Sequence, residues 1–241
     1  MPYFEAKLRV NLNDFAEIKE KLDFCEKLSI NYIIIEPIDY FKEISKNIKE
    51  KIEKLSNSNI YYRINLKTQN IKDFRKKIKK VSHVSDIISL ETFNPNLQLI
   101  AARDSRVDLL SYTNFKLLNT LSEGVLSLAN QNEKYIEFGI KSIMNESKQS
   151  QSKEFRILFK SIQMAMSRKV KFIISGNFKN KYDFRNPRAL ISIVNTLIDI
   201  PMPEVKRAFN RNVVSLIERS KNRTNPDIIE KGVKLISDGE T

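Results

Sequence analysis

The side chains with the plainest chemistry in this sequence are cations set where loops give way to helices. Lys179, Lys181, Arg185 and Arg188 form one group, Lys206, Arg207 and Arg211 a second, and Arg103 with Arg106 a third. A guanidinium presents a planar fork of N–H donors that matches a pair of phosphate oxygens and also stacks on an unpaired base. Phe178, Tyr182, Phe184 and Phe209 lie among the first two groups. Arginines interleaved with aromatics suit RNA, whose loops offer unstacked bases, better than duplex DNA, and no recognition helix for the DNA major groove is legible. The chain carries 42 Lys and Arg against 29 Asp and Glu, a net charge of +13. Between Gln151 and Asn225 stand 16 basic and 5 acidic residues, so nearly all of the surplus lies in that stretch. Such an imbalance exceeds ordinary mixed-sign surface decoration and points to a polyanionic partner. Lys76, Lys77, Lys79 and Lys80 read instead as a solvated helix face.

Residues for bond-making chemistry are sparser. Glu36, Glu91 and Glu137 fall near the ends of predicted strands, where barrel enzymes place their acids. The preferred reading pairs them with Arg63, Arg103 or Arg106 around a barrel rim; the alternative is a stand-alone metal-dependent barrel enzyme, phosphoesterase-like, that uses these rim carboxylates. His83 is the sole histidine, so a multi-histidine zinc site cannot be assembled, although a carboxylate-only magnesium site stays open. Cys25 is also single and falls on an apolar helical stripe, which predicts a buried thiol. Ser175-Gly176-Asn177 follows a predicted strand and could turn backbone N–H groups toward a phosphate. With five glycines in all and no Gly-x-Gly-x-x-Gly after the first strand, a dinucleotide or P-loop cradle is absent.

The elements that would position these residues alternate between short apolar runs and helical stripes. Predicted strands are Phe4–Val10, Asn31–Glu36, Ile60–Leu66, Asp86–Glu91, Val107–Tyr112, Tyr135–Ile140 and Lys171–Ser175, with a weak eighth at Ile198–Ile200. Ile33-Ile34-Ile35 and Phe172-Ile173-Ile174 are apolar at consecutive positions, as in parallel strands covered on both faces. Phe15, Ile18, Leu22 and Cys25 follow helical spacing, as do Phe41, Ile44, Ile48, Ile52 and Leu55, then Phe74 and Ile78, and later Phe155, Leu158, Phe159, Ile162 and Met166. Asn186-Pro187 predicts a helix start, and Thr120 with Glu123 a capping box. Together they predict an α/β fold, a TIM-like (β/α) barrel of one domain over residues 1–225 with a C-terminal helix or tail over 226–241; an open doubly wound sheet is second. Asn145–Ser152 is the one candidate flexible stretch, and the end from Gly232 is expected to fray. No stretch has the length of a signal peptide's apolar core or of a membrane span, so a cytoplasmic protein is expected.

On these segments the chain resembles the archaeal ribonuclease P protein component 3 family. Ala101-Ala102-Arg103-Asp104-Ser105-Arg106-Val107-Asp108-Leu109-Leu110-Ser111 looks like its signature, a basic helix end leading into a strand that begins Val-Asp. Phe184-Arg185-Asn186-Pro187-Arg188-Ala189-Leu190, Pro203–Phe209, and Asn212-Val213-Val214 through Ile217-Glu218-Arg219 are similar to its C-terminal pattern. Tyr135-Ile136-Glu137-Phe138-Gly139-Ile140 stands where the family has a strand carrying a glutamate. Gly139 within that strand and the scarcity of loop glycines depart from the pattern. The resemblance implies an α/β barrel subunit of a ribonucleoprotein whose RNA matures tRNA 5′ ends, with no catalytic residue in the protein. It further implies no cofactor bound by the chain, magnesium held by the RNA, and no membrane. Implied partners are the ribonuclease P RNA, protein component 2 in a two-plus-two assembly, other ribonuclease P proteins and, indirectly, precursor tRNA.

Overall fold

Parallel pairing in sequence order joins seven strands: β1 (Tyr3–Val10), β2 (Ile30–Pro37), β3 (Asn59–Lys67), β4 (Ile87–Glu91), β5 (Leu109–Tyr112), β6 (Tyr135–Gly139) and β7 (Phe172–Ser175). The computed structural model describes residues 3–38, 43–144, 148–178, 180–225, 228–230 and 233–234. Helices cover the outside: α1 (Phe15–Lys27), α2 (Lys46–Glu53), α3 (Ile71–Val81), α4 (Pro95–Arg103), the short α5 (Phe115–Leu118), α6 (Glu123–Gln131), α7 (Lys148–Ser167) and α8 (Pro187–Leu197). The result is a nearly closed TIM-like barrel, as the alternation of strand and helix predicts.

Most starts are set by side chains that accept from otherwise orphaned N–H groups: Asp14 for α1, Ser45 for α2, Asn70 for α3, Asn94 for α4 and Asn186 for α8. The expected Thr120 and Glu123 box is not formed. Ser122 caps α6, while the Thr120 hydroxyl donates to Leu117 O and accepts from the Gln98 amide. Residues 148–152, expected to be flexible, are the first turn of α7. Phe41 and residues 145–147 lie outside the described residues, and Ile44 is buried ahead of α2 rather than within it.

Ile198–Ile200 is not a strand. Both isoleucines are buried, but Asp199 between them has a positive φ of 53°, which breaks an extended run. The chain turns there into a helical rod made of α9 (Met202–Lys206), one π-helical turn (Arg207–Arg211) and α10 (Asn212–Arg223). The seam between β1 and β7 is therefore closed without a ladder. The Glu5 carboxylate accepts from Gly176 N–H at 3.2 Å and from Lys7 N–H at 2.9 Å, and Arg9 N–H donates to Phe178 O at 3.2 Å. Only glycine fits at 176, because a Cβ there would lie 2.3 Å from the Phe178 ring and 2.6 Å from Glu5 Oε2. Gly139 is likewise demanded by packing, with Thr113 Cα 2.9 Å from where its Cβ would stand. Beyond α10, within the stretch expected as a helix or tail, Ile228–Glu230 and Val233–Lys234 pair as antiparallel strands β8 and β9.

Inside the barrel, the strand-start half is apolar. Phe4, Ala6, Ile34, Ile87, Leu109, Tyr135 and Ile173 meet there, and α10 closes that end with Val213, Leu216 and Ile217. The strand-end half is charged. Between Glu5↔Ile33 and Leu8↔Ile35, β1 spends one residue more than β2, a bulge. Within it, Lys7 Nζ lies 3.5 Å from Glu36, 3.4 Å from Glu91 and 3.9 Å from Glu137. Arg63 reaches Glu36 at 3.2 Å and Glu137 at 2.6 Å, and Ser111 Oγ donates to Glu137 at 2.7 Å. Burial opposes ionisation of Glu137, but Arg63 and then Lys7 outweigh it and hold the carboxyl at about 2.

Two measurements test this interior. Arg63→Met leaves two buried carboxylates short of a partner and is expected to cost about 3–5 kcal/mol in urea unfolding, partly restored by adding Glu137→Gln; a loss below about 1 kcal/mol means the cluster is hydrated and adds little. Burial pushes Glu5 from 4.5 up to about 7. A carboxyl that binds its proton more tightly when folded stabilises the chain fully below the unfolded value of 4.5, and that contribution is lost as the pH rises through about 7. The stability advantage of the wild type over Glu5→Gln is thus expected to shrink by about 3 kcal/mol between roughly pH 4 and pH 8. A pH-independent difference would contradict it.

Candidate nucleic-acid interface

The expected cations do not gather at one rim, because the missing eighth strand sends the chain to the opposite end of the barrel. Lys181 and Arg185 lie in the segment that leaves β7 and crosses the β1–β7 seam. Lys181 Nζ pairs with Glu20 of α1 at 3.2 Å, and Arg185 Nη1 donates to Tyr182 O and Phe184 O at 2.7 and 2.8 Å. Arg188, in the first turn of α8, donates from Nε to the Tyr3 hydroxyl at 3.1 Å. Lys179 lies outside the described residues.

Lys206, Arg207 and Arg211 stand instead at the strand-start end. The rod that carries them is tied there at its middle, where Asn212 Nδ2 donates to Phe172 O at 2.7 Å. At its far end the Arg223 guanidinium donates to Ser82 O, Val84 O and Asp86 O at 2.8, 3.0 and 2.9 Å. Arg223 and Arg219 also flank the Asp108 carboxylate, at 3.2 and 3.5 Å. Burial raises the Asp108 pKa, an effect that Arg223 opposes. Nearby, buried Lys134 donates to Asp104 O and Val107 O, both at 2.7 Å, and burial followed by Arg219 brings it down to about 7.

Arg103 and Arg106 share this end, since they connect α4 to β5. Arg106 is committed to Asp104 through two bonds of 2.9 and 2.7 Å. Arg103, Lys206 and Arg211 are exposed and form no ion pair among the described residues. Helices that run back along a parallel barrel finish at the strand-start end, and Lys27, Lys51, Lys79, Lys80 and Arg103 stand in such last turns, while Lys221 stands in the last turn of α10. Each complements its helix dipole, which is account enough for any one of them. Together with Lys206, Arg207 and Arg211 they make this end cationic.

Of the aromatics expected to meet bases, Phe178, Phe184 and Phe209 are buried, and Phe178 packs at a tilt against Phe184 with centroids 4.7 Å apart. Tyr182 alone of the four is open, 77% exposed, beside Lys181. The phosphate cradle expected at Ser175-Gly176-Asn177 has its Gly176 N–H taken by the chain's own Glu5 carboxylate. His83 is exposed, 3.7 Å from Glu43. Glu36, Glu91 and Glu137 do pair with cations, but with Arg63 and Lys7 inside the barrel; Arg103 and Arg106 take no part. Held ionised, Glu137 has no proton to donate near neutral pH. Among the described residues no group of three or more His, Cys, Asp or Glu could hold a metal, and no helix is long and apolar enough to cross a membrane.

Sequence reading missed Lys7 and Glu5, and with them Arg219 and Arg223. A signal for Lys7 was present: Lys7 and Arg9 alternate with Leu8 and Val10. With helices covering the outer face, an alternating charged set belongs inside.

A family model described as RNase P subunit p30 matches residues 7–225. Ribonuclease P protein component 3 of Methanocaldococcus jannaschii is 23% identical over 235 residues, spanning 96% of this chain and 99% of that protein. A chain in the cryo-EM structure of archaeal ribonuclease P with mature tRNA superposes with a TM-score of 0.78 at 20% identity, over 99% of this chain and 100% of that one. The barrel itself is shared more widely: ochratoxinase of A. niger matches with a TM-score of 0.66 at 8% identity, over 90% of this chain and 74% of that one. Because the family model spans nearly the whole barrel, from β1 to the end of α10, the chain belongs to the RNase P subunit p30 family.

Proposed function

We propose that the chain binds the RNA of ribonuclease P through its exposed cations and contributes no reacting group of its own. By family it is a protein subunit of ribonuclease P, the ribonucleoprotein that removes 5′ leaders from precursor tRNA. One observation carries the RNA-binding reading: Arg103, Lys206 and Arg211 stand exposed at the strand-start end with no ion-pair partner among the described residues, while Glu36, Glu91 and Glu137 pair with Lys7 and Arg63 inside the barrel. Free cations on a surface contribute little to folding, whereas each that meets a phosphate releases a counterion.

In this reading Arg103, Lys206, Arg207 and Arg211 neutralise phosphates at one end, with Lys179, Lys181, Arg185 and Arg188 along the seam. Arg106 acts by holding Asp104 at the start of β5. The chain binds no cofactor; magnesium ions held by the RNA activate the water that cleaves the leader phosphodiester. By lowering phosphate repulsion the protein lets the RNA fold at lower magnesium. Protein component 2 and other ribonuclease P proteins are its companions, precursor tRNA is met through the RNA, and the compartment is the cytoplasm.

Combining Arg103→Ala, Arg185→Ala and Arg211→Ala is expected to flatten the dependence of log K on log salt by about one unit for each phosphate that is no longer neutralised. The same variant, reconstituted with the RNA and its partner proteins, is expected to need more magnesium for half-maximal cleavage. Unchanged salt slope and magnesium requirement, with circular dichroism intact, would refute the proposal. Glu91→Gln, at the edge of the interior cluster, is expected to leave cleavage within about twofold; a loss of about a hundredfold or more, the size of a general acid–base contribution, would place catalysis in the barrel.

A further inference from the structure

Beside the rod at the strand-start end lies an open cleft of about 450 Å³ lined by Met202, Pro203, Lys206, Arg207, Asn210 and Arg211. We propose that it is a subsite for one unpaired RNA nucleotide, with the phosphate on the three cations and the base against Met202 and Pro203. This rests on the RNA-binding reading above and gives it an address.

The cleft exists because of the π-helical turn. Ala208, Phe209 and Asn210 are three consecutive residues, all buried. An α-helix laid on the barrel would return one of them toward solvent, but a turn closed by i→i+5 bonds carries an extra residue and can press all three against β1 and β7. The same widening brings Arg211 beneath Lys206 and Arg207, so that three cations of one rod edge a single depression. A single turn of this kind inside a helix is commonly a functional device.

The lining selects the ligand. Glu204, paired with Arg207, is the only acid bonded to these cations among the described residues, and the pair orients the guanidinium. Lys206 and Arg211 have no such partner there. An anion is thus called for, and the volume falls within the range of about 300–1,000 Å³ typical of small-ligand sites, more than one phosphate needs. The surplus is walled by a thioether and a proline ring, surfaces on which the face of a base packs and a second charge would not. A phosphate of continuous duplex can reach the rim cations, but its bases cannot leave the stack to enter. The recognised feature is therefore a nucleotide that the RNA fold already leaves unpaired.

The test measures binding of a fluorescent single-stranded RNA of about ten nucleotides, and of a duplex of the same length, to the full chain at matched ionic strength. Lys206→Ala with Arg211→Ala is expected to weaken the single strand about fivefold or more. Met202→Ala is expected to weaken the single strand by about threefold and to leave duplex binding unchanged. Inorganic phosphate at constant ionic strength is expected not to compete. Equal loss for strand and duplex in Met202→Ala, or full competition by phosphate, would reduce the cleft to a bare anion site and overturn the proposal. So would single-strand binding untouched by Lys206→Ala with Arg211→Ala but lost in Lys181→Ala with Arg185→Ala, an outcome that leaves the RNA-binding reading standing. If the wild-type chain binds neither RNA at low salt, the broader reading fails.

Discussion

A parallel barrel of seven strands leaves one edge of β1 and one of β7 without a ladder, and covering those edges is the constraint from which the rest of this molecule follows. Unpaired N–H and C=O groups at a buried seam cost free energy comparable to lost hydrogen bonds. Glu5 meets this with a carboxylate that accepts from both sides of the seam, at Lys7 and Gly176. Phe178 fills the gap that Gly176 leaves, and the π-helical turn packs against both strands from outside. A regular eighth βα unit would have carried the chain back to the strand-end mouth. Its replacement by a helical rod carries Lys206, Arg207 and Arg211 to the strand-start end instead, so the closure of the barrel and the placement of its cations are one event.

The interior sets this barrel apart from the arrangement that barrel enzymes use. Barrel enzymes work at the strand-end mouth, where acids face substrate. Here the acids that reach that end meet Lys7, within the β1 bulge, and Arg63 from β3. Ionised groups taken out of water cost several kcal/mol each unless they are paired and hydrogen-bonded. Here the cations and carboxylates inside the barrel are drawn to one another. Function on such a fold resides in the sites grafted onto it, and the RNA-binding surface proposed for this chain lies elsewhere.

How much of this is legible in the sequence differs by length scale. Strands such as Ile33-Ile34-Ile35 and Phe172-Ile173-Ile174 declare themselves, because burial on both faces demands apolar residues at consecutive positions, and the pattern places all seven to within a residue or two at each end. Ile198-Asp199-Ile200 imitates an edge strand, since alternation says nothing of a backbone that turns to positive φ. The pairing of Glu36 and Glu137 with Arg63 is open to anticipation from strand ends, whereas that of Lys7 is not: its partner Glu91 lies 84 residues away, and only barrel closure brings them together. Cations near in sequence, such as Arg185 and Arg211, are neighbours in space only if an eighth strand exists. The π-helical turn leaves no periodic signature at all, because one turn is too short to set a phase.

The basic residues of the rod show why counting charge is weaker than locating it. Arg219 and Arg223 face the barrel, where Asp108 and three backbone carbonyls take up their donors, and they serve to hold α10 across the strand starts. Lys134 beside them is buried deeply enough to lose most of its preference for the charged form near neutrality. None of these can reach RNA. Lys206, Arg207 and Arg211, from the same short stretch, point away from the barrel and contribute little to its stability, since exposed charges with at most one partner are worth well under about 1 kcal/mol each. Fold stability thus accounts for the inward set and leaves the outward set without a structural purpose. The proposed RNA contact would supply one, because three charges that are nearly idle in the free protein would each displace a condensed counterion once a phosphate arrives.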